Sequence, residues 1–154
     1  KSRKIKTTSD RVINARNVFT MNSLLQGVIQ NGTGIRAKSL GRKDLAGKTG
    51  TTNDNIDAWF AGFQRRIVAI TWVGKDQPEP LGDKETGSKA ALPIWIDYMK
   101  VALKEIPKER PPTPPEGIRS VLIDPTTGLP TDNDGVLEYF YDENAPSKNS
   151  GILF

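Results

Sequence analysis

The chain has 154 residues, 36% hydrophobic and 26% charged, with a net charge of +4, a balance typical of a soluble globular domain large enough to build a core. It contains no cysteine and no histidine, which excludes a Ser-His-Asp triad, a Cys nucleophile, a Cys/His zinc site and a disulfide within the chain. A general base here must be a lysine, a carboxylate or a tyrosine, and no metal or cofactor site is expected.

The charge is uneven. Residues 1–48 carry eleven Lys/Arg against Asp10 and Asp44, while residues 49–154 carry eleven against sixteen Asp/Glu. The basic half reads either as a solvated surface or as a face for an anionic polymer. The start, Lys1–Lys6, leads into Thr7-Thr8-Ser9-Asp10 with no apolar stretch behind it, unlike a signal peptide. The longest apolar run, Ile67–Val73, falls far short of the roughly 20 residues of a membrane span.

From Asn14 the pattern is helical. Val18, Met21, Leu24, Leu25, Val28 and Ile29 recur at spacings of three and four and predict a core-facing stripe, with Asn14 as cap and Asn31-Gly32 and Gly34 as exit. A basic connector, Ile35–Asp44, follows. Leu45–Thr52 holds two glycines and three threonines, which favours extended backbone. Asn53-Asp54-Asn55 is a turn signal. Ala58–Gln64 and Arg66–Gly74, rich in Trp, Phe, Val and Ile, read as two further strands of an antiparallel meander. Trp59, Phe60, Phe63 and Trp72 are expected in the core, and Asp57 is expected to brace the turn.

After a polar loop with Pro78 and Pro80, Ser88–Lys104 returns to helical spacing. Its apolar face is Ile94, Trp95, Tyr98, Met99, Ala102 and Leu103, with Ser88 as candidate N-cap and Pro93 near the first turn. Five prolines mark residues 107–117 as a semi-rigid linker. Beyond it, Ile118–Asp124 reads as one short strand, and the rest of 118–154 as an acidic appendage expected to be mobile.

The segment richest in chemistry is Gly47-Lys48-Thr49-Gly50-Thr51-Thr52. Its Gly-Lys-Thr is the ending of a phosphate-binding loop, but Gly41 to Gly47 encloses five residues in place of four, and no helix follows. On a strand the same letters have another use. Thr49 and Thr51 share one face, where two hydroxyls can bind a carboxylate, and Lys48 points to the other. Gly50 leaves room for a substrate backbone to add as a further strand. The Thr51 N–H then becomes available as one half of an oxyanion hole.

Lys-Thr-Gly is also the triplet of penicillin-binding serine acyl-transferases. Around it, Asp57-Ala58-Trp59-Phe60-Ala61-Gly62-Phe63, Trp72-Val73-Gly74-Lys75-Asp76, Gln26–Gly34 and Ala90–Trp95 with Tyr98-Met99 all resemble their counterparts in that family. Residues from about 10 to 106 are thus similar to the C-terminal half of the transpeptidase domain of a class A penicillin-binding protein, the bifunctional type that also carries a glycosyltransferase domain. The resemblance implies an α+β fold, an antiparallel sheet flanked by helices, present here as a partial domain. It assigns residues 1–106 to that half-domain, 107–117 to a linker and 118–154 to the appendage.

The implied activity is peptidoglycan D,D-transpeptidation: serine acyl transfer on D-Ala-D-Ala stem peptides, inhibited by β-lactams, on the outer face of the bacterial cytoplasmic membrane. By resemblance Lys48 and Thr51 are catalytic, and Thr49, Gly50, Thr51 and Thr52 bind substrate. Two of the family's motifs are missing. No serine here has a lysine three places later, so Ser-x-x-Lys is absent, and Ser147-Lys148-Asn149 fits Ser-x-Asn in letters but follows the triplet, where the family has it before. With no initiator methionine, the chain reads as a piece of a longer protein whose remainder carries the nucleophile and is its first partner. Stem peptides and β-lactams are its expected ligands; nucleic acid is not. A serine β-lactamase or D,D-carboxypeptidase uses the same triplet, and a non-catalytic binding module for nucleic acid or another anionic polymer is the alternative of a different class.

Overall fold

The computed structural model describes residues 10–147. Elements follow in the order α1 (Ala15–Gln30), β1 (Ala46–Thr51), β2 (Ala58–Gln64), β3 (Ile67–Val73), α2 (Leu92–Ala102), β4 (Ile118–Ile123) and β5 (Val136–Tyr141). Short 3-10 turns stand at Ile35–Leu40, Asn53–Asn55 and Asp142–Asn144, and one π turn at Gly87–Ala91. The chain divides into two compact units, residues 22–112 and residues 1–21 with 113–154. Among the described residues no helix is long and apolar enough to cross a membrane.

In the larger unit, β1, β2 and β3 form an antiparallel sheet in that order, as the meander predicts. The alternation of a pleated strand sorts its residues. Ala58, Phe60 and Gly62 of β2 turn inward, and Trp59 and Ala61 turn outward. The inner face packs on α2. Trp95 is fully buried there, its ring 5.0 Å from Phe60 in an edge arrangement. The Trp95 indole N–H donates to Ala69 O at 3.1 Å, so burying the indole leaves no donor unpaired. Gly47 and Gly62 face one another across β1 and β2. A Cβ on Gly62 would lie 2.6 Å from Trp95, and one on Gly47 would lie 2.7 Å from Phe60. The two glycines are a slot for the aromatic pair.

Several expectations need correction. Trp59 and Trp72 are 41% and 49% exposed, because they alternate out of phase with Phe60 and stand on the sheet's other face. Of the α1 stripe, Ile29 is buried, whereas Val18, Met21 and Leu24 are exposed; among the described residues only part of that broad face meets a partner. Ser88 caps nothing. It lies inside the π turn, its hydroxyl 2.9 Å from that of Thr86, and α2 begins at Leu92 with Pro93 in its first turn. Asn14 does cap α1, accepting the Arg16 N–H at 2.8 Å.

In the smaller unit, β4 and β5 pair as a hairpin from Ile118–Tyr141 to Ile123–Val136, where one strand and a loose tail were expected. Residues of the first turns of α1 pack on it. Arg16 pairs with Glu143 at 2.9 Å and lies 4.6 Å from the Tyr141 ring centre. The Tyr141 hydroxyl donates to Asn17 at 2.6 Å, and Phe19 meets Tyr139 edge-on at 4.9 Å.

One buried ion pair ties the larger unit together. Arg42 grips Asp44 through two hydrogen bonds of 2.9 and 2.6 Å and gives two further donors to Ile106 O and Pro107 O. Asp44 also accepts from Gln64 and from the Glu109 N–H. Burial pushes the Asp44 carboxyl up, but the bonds from Arg42, Glu109 N–H and Gln64, with the guanidinium charge, outweigh it and hold the carboxyl below its usual range. A lowered folded value stabilises the fold above the unfolded carboxylate pKa of about 3.9, and that contribution is lost as pH falls through the folded value. Asp44→Ala strands a buried guanidinium and is expected to cost about 3–5 kcal/mol in urea unfolding. Asp44→Asn should flatten the acid limb of the stability curve below about pH 4. An unchanged limb would show that other carboxylates set it.

Candidate functional site

Among the described residues β1 is an edge strand, bonded to β2 alone. Its register pairs Lys48 with Ala61, Thr49 with Phe60, Gly50 with Trp59 and Thr51 with Ala58. One step on, Thr52 N–H donates to Asp57 O at 3.1 Å, which makes Thr52–Asp57 a hydrogen-bonded pair. Antiparallel ladders alternate. Gly50 and Lys48 therefore bond β2 through their backbone, while Thr49 and Thr51 direct N–H and C=O outward to the unpaired edge.

Side chains alternate across the other axis. Lys48 and Gly50 stand on the outer face beside Ala61, Trp59 and, through β3, Ile70 and Trp72. Thr49 and Thr51 stand on the inner side. The Lys48 ammonium donates to Thr49 O at 2.9 Å, so a cation sits at the free edge of the strand. The Thr49 hydroxyl lies 2.7 Å from that of Thr33, in the turn after α1. The Thr51 hydroxyl accepts the Gly87 N–H at 3.0 Å, which leaves its own hydrogen available to an acceptor. Thr52 commits its hydroxyl to the turn, accepting the Asp57 N–H at 2.7 Å. Asp57 braces the sheet end through its carboxylate, which accepts the Trp72 indole N–H at 2.7 Å. The Trp72 ring lies 6.0 Å from that of Trp59.

The Lys48–Thr52 run is thus one continuous edge. Thr33 and Gly87, which touch it, are absent from the residues that sequence reasoning selects. Thr33-Gly34 reads there only as a helix exit, and Gly87 as loop. A Cβ on Gly87 would collide with the carbonyls of Trp59 and Gly50, which is a signal only once the fold is known. Lys148 and Asn149 of the Ser-x-Asn-like triplet lie outside the described residues. Among the described residues no cluster of His, Cys, Asp or Glu could hold a metal ion.

The chain is 50% identical over 143 residues to penicillin-binding protein 1A of Pseudomonas aeruginosa, covering 91% of this chain and 17% of that protein. It is 44% identical over 130 residues to penicillin-binding protein 1A of Rickettsia prowazekii, covering 84% and 16%. The crystal structure of penicillin-binding protein 1A from Haemophilus influenzae matches with a TM-score of 0.80 at 40% identity, over 89% of this chain and 22% of that one. No family model matches the chain. The chain spans less than a fifth of the length of the curated relatives it matches.

Gly87→Ala is expected to push the π turn off β1, at about 1–3 kcal/mol in urea unfolding, and to move the Thr51 amide resonance. Wild-type stability with an unmoved Thr51 amide would show that the turn does not seat on the strand.

Proposed function

The chain belongs to the penicillin-binding protein 1A family, and from that premise we propose that it supplies the substrate-gripping strand of a peptidoglycan D,D-transpeptidase. The observation that carries this reading is the edge of β1 left unpaired among the described residues, with the Thr51 N–H directed outward and the Lys48 ammonium bonded to Thr49 O on that same edge. A stem peptide adds along this edge as a further strand. Its terminal carboxylate meets the Thr49 and Thr51 hydroxyls, and Gly50 admits its backbone. A serine from outside this chain attacks the D-Ala-D-Ala peptide bond. The Thr51 N–H donates to the oxyanion that forms, a donor worth about 3 kcal/mol in the transition state. Lys48 contributes positive charge and a hydrogen bond to the serine of a Ser-x-Asn motif. D-Ala leaves, and an amine of a neighbouring stem resolves the acyl-enzyme. A β-lactam would acylate the same serine.

The outer face of the sheet supports the assignment of the nucleophile to another portion of the protein. Val68, Ile70 and Trp72 are 75%, 63% and 49% exposed, on the Lys48 side. Contiguous exposed apolar surface of this kind marks an interface. We assign residues 1–106 to the C-terminal half of the transpeptidase domain, 107–117 to a linker and 118–154 to an appended module. The catalytic domain belongs on the outer side of the cytoplasmic membrane.

Two measurements test this. The isolated chain should not be labelled by fluorescent penicillin, and covalent labelling of it would place the nucleophile within these 154 residues. In the domain completed with its Ser-x-x-Lys portion, Lys48→Ala should lower acylation roughly a hundredfold or more and leave the fold intact; wild-type rates would remove Lys48 from the mechanism.

A further inference from the structure

The strand that would grip a peptide's carboxylate supplies no cation on the face where the carboxylate binds. Thr49 and Thr51 stand opposite Lys48 by the alternation of β1, and the Lys48 ammonium is drawn to Thr49 O at the strand edge. Hydroxyls alone bind a carboxylate weakly, and a guanidinium matches it in charge and shape. We infer that the turn following α1 completes the anion site, with Arg36 as the residue that pairs the carboxylate and Thr33 as the positioning residue for Thr49. This rests on the peptide-binding reading of β1 and extends it to residues outside the Lys-Thr-Gly strand.

Three observations converge on that turn. First, it is rigid. Gly34 N–H donates to Val28 O at 2.9 Å, Ile35 N–H to Gly32 O at 3.2 Å and Ala37 N–H to Gly34 O at 2.9 Å, and Ala37 is fully buried. Second, the turn is bonded at one end to a site threonine and at the other to the π turn that meets Thr51. Thr33 bonds the Thr49 hydroxyl directly. Arg36 donates to Ser88 O at 3.5 Å, and the neighbouring Gly87 N–H is bonded to the Thr51 hydroxyl. Third, Arg36 is exposed and forms no ion pair among the described residues, and that one long hydrogen bond occupies a single donor of the five it has. A charge that is exposed and without a counter-ion among the described residues is what an anionic substrate group replaces water around.

The Thr33–Thr49 bond has a chemical consequence. Two hydroxyls 2.7 Å apart share one hydrogen between them, so the pair presents one outward O–H. Together with the Thr51 hydroxyl, already accepting from Gly87 N–H, this makes two O–H donors aligned on one face. Without Thr33 the Thr49 hydroxyl rotates freely and donates elsewhere for part of the time.

The test is titration of the 154-residue chain with N-acetyl-D-alanyl-D-alanine and with its C-terminal carboxamide, followed through the Thr49, Gly50 and Thr51 amide resonances. The carboxylate form should bind more tightly, by roughly tenfold, and added salt should narrow the gap. Arg36→Gln should collapse that ratio towards one, and Arg36→Lys should restore part of it. Thr33→Val should reduce the ratio, and Thr33→Ser should recover it, which a purely structural role would not require. A ratio unchanged in Arg36→Gln overturns the assignment, as does a collapse produced by Lys89→Gln, on the same turn as Ser88, in its place. The two readings fail differently. If the dipeptide leaves the residue 49–51 amides of the unsubstituted chain unmoved, the peptide-binding role of β1 falls and this inference with it. If those amides move while the ratio ignores Arg36, only the anion site falls.

Discussion

A strand bonded along one side only presents backbone donors and acceptors on its other side at every second residue, and in β1 those residues are Thr49 and Thr51. Everything proposed for the site follows from that alternation combined with the perpendicular alternation of side chains. The first turns the Thr51 N–H away from β2, to the free edge of the strand. The second separates the Lys48 side chain from the two threonine hydroxyls. A one-residue slip in the β1–β2 register would exchange both sets, closing the edge donor and burying the lysine.

That register is held by contacts some distance from the edge itself. Gly47 and Gly62 lie opposite each other because the Phe60 and Trp95 rings need the volume their side chains would fill. A Cβ at either position would lie against an aromatic ring. Gln64, at the far end of β2, is bonded to Asp44, which Arg42 holds from the other side. The ion pair is almost fully buried, so its partners cannot exchange for water without a large desolvation cost. It anchors the segment that enters β1, the end of β2 and the chain leaving α2 in one place. The site end of the sheet has lighter bracing, with Asp57 on the Trp72 indole and Thr52 closing the turn.

Much of this was readable from residue order. The meander, both helices and the Asn14 cap rest on spacing and capping chemistry between residues near one another in the chain, whereas Asp57, expected to brace the turn, spends its carboxylate on Trp72, 15 positions away. Errors arose where burial depends on what lies across space. Trp59 and Trp72 have the composition of a core but occupy the face that no described element covers. Strand β5 was hidden because Val136–Tyr141 sits among acidic and turn-forming neighbours, and its pairing with β4 bridges a loop of twelve residues. Ser88 has the side chain of a cap, yet the backbone makes a π turn through it.

Residue order therefore sets the local conformations and the two faces of the Lys-Thr-Gly strand, because both are consequences of a period of two and of short-range sterics. It says nothing of which residues meet that strand from elsewhere. Thr33 reaches Thr49 across 16 positions and Gly87 reaches Thr51 across 36. Those pairings depend on how α1, the sheet and the π turn close on a shared core, and packing of that kind leaves no periodic trace along the chain.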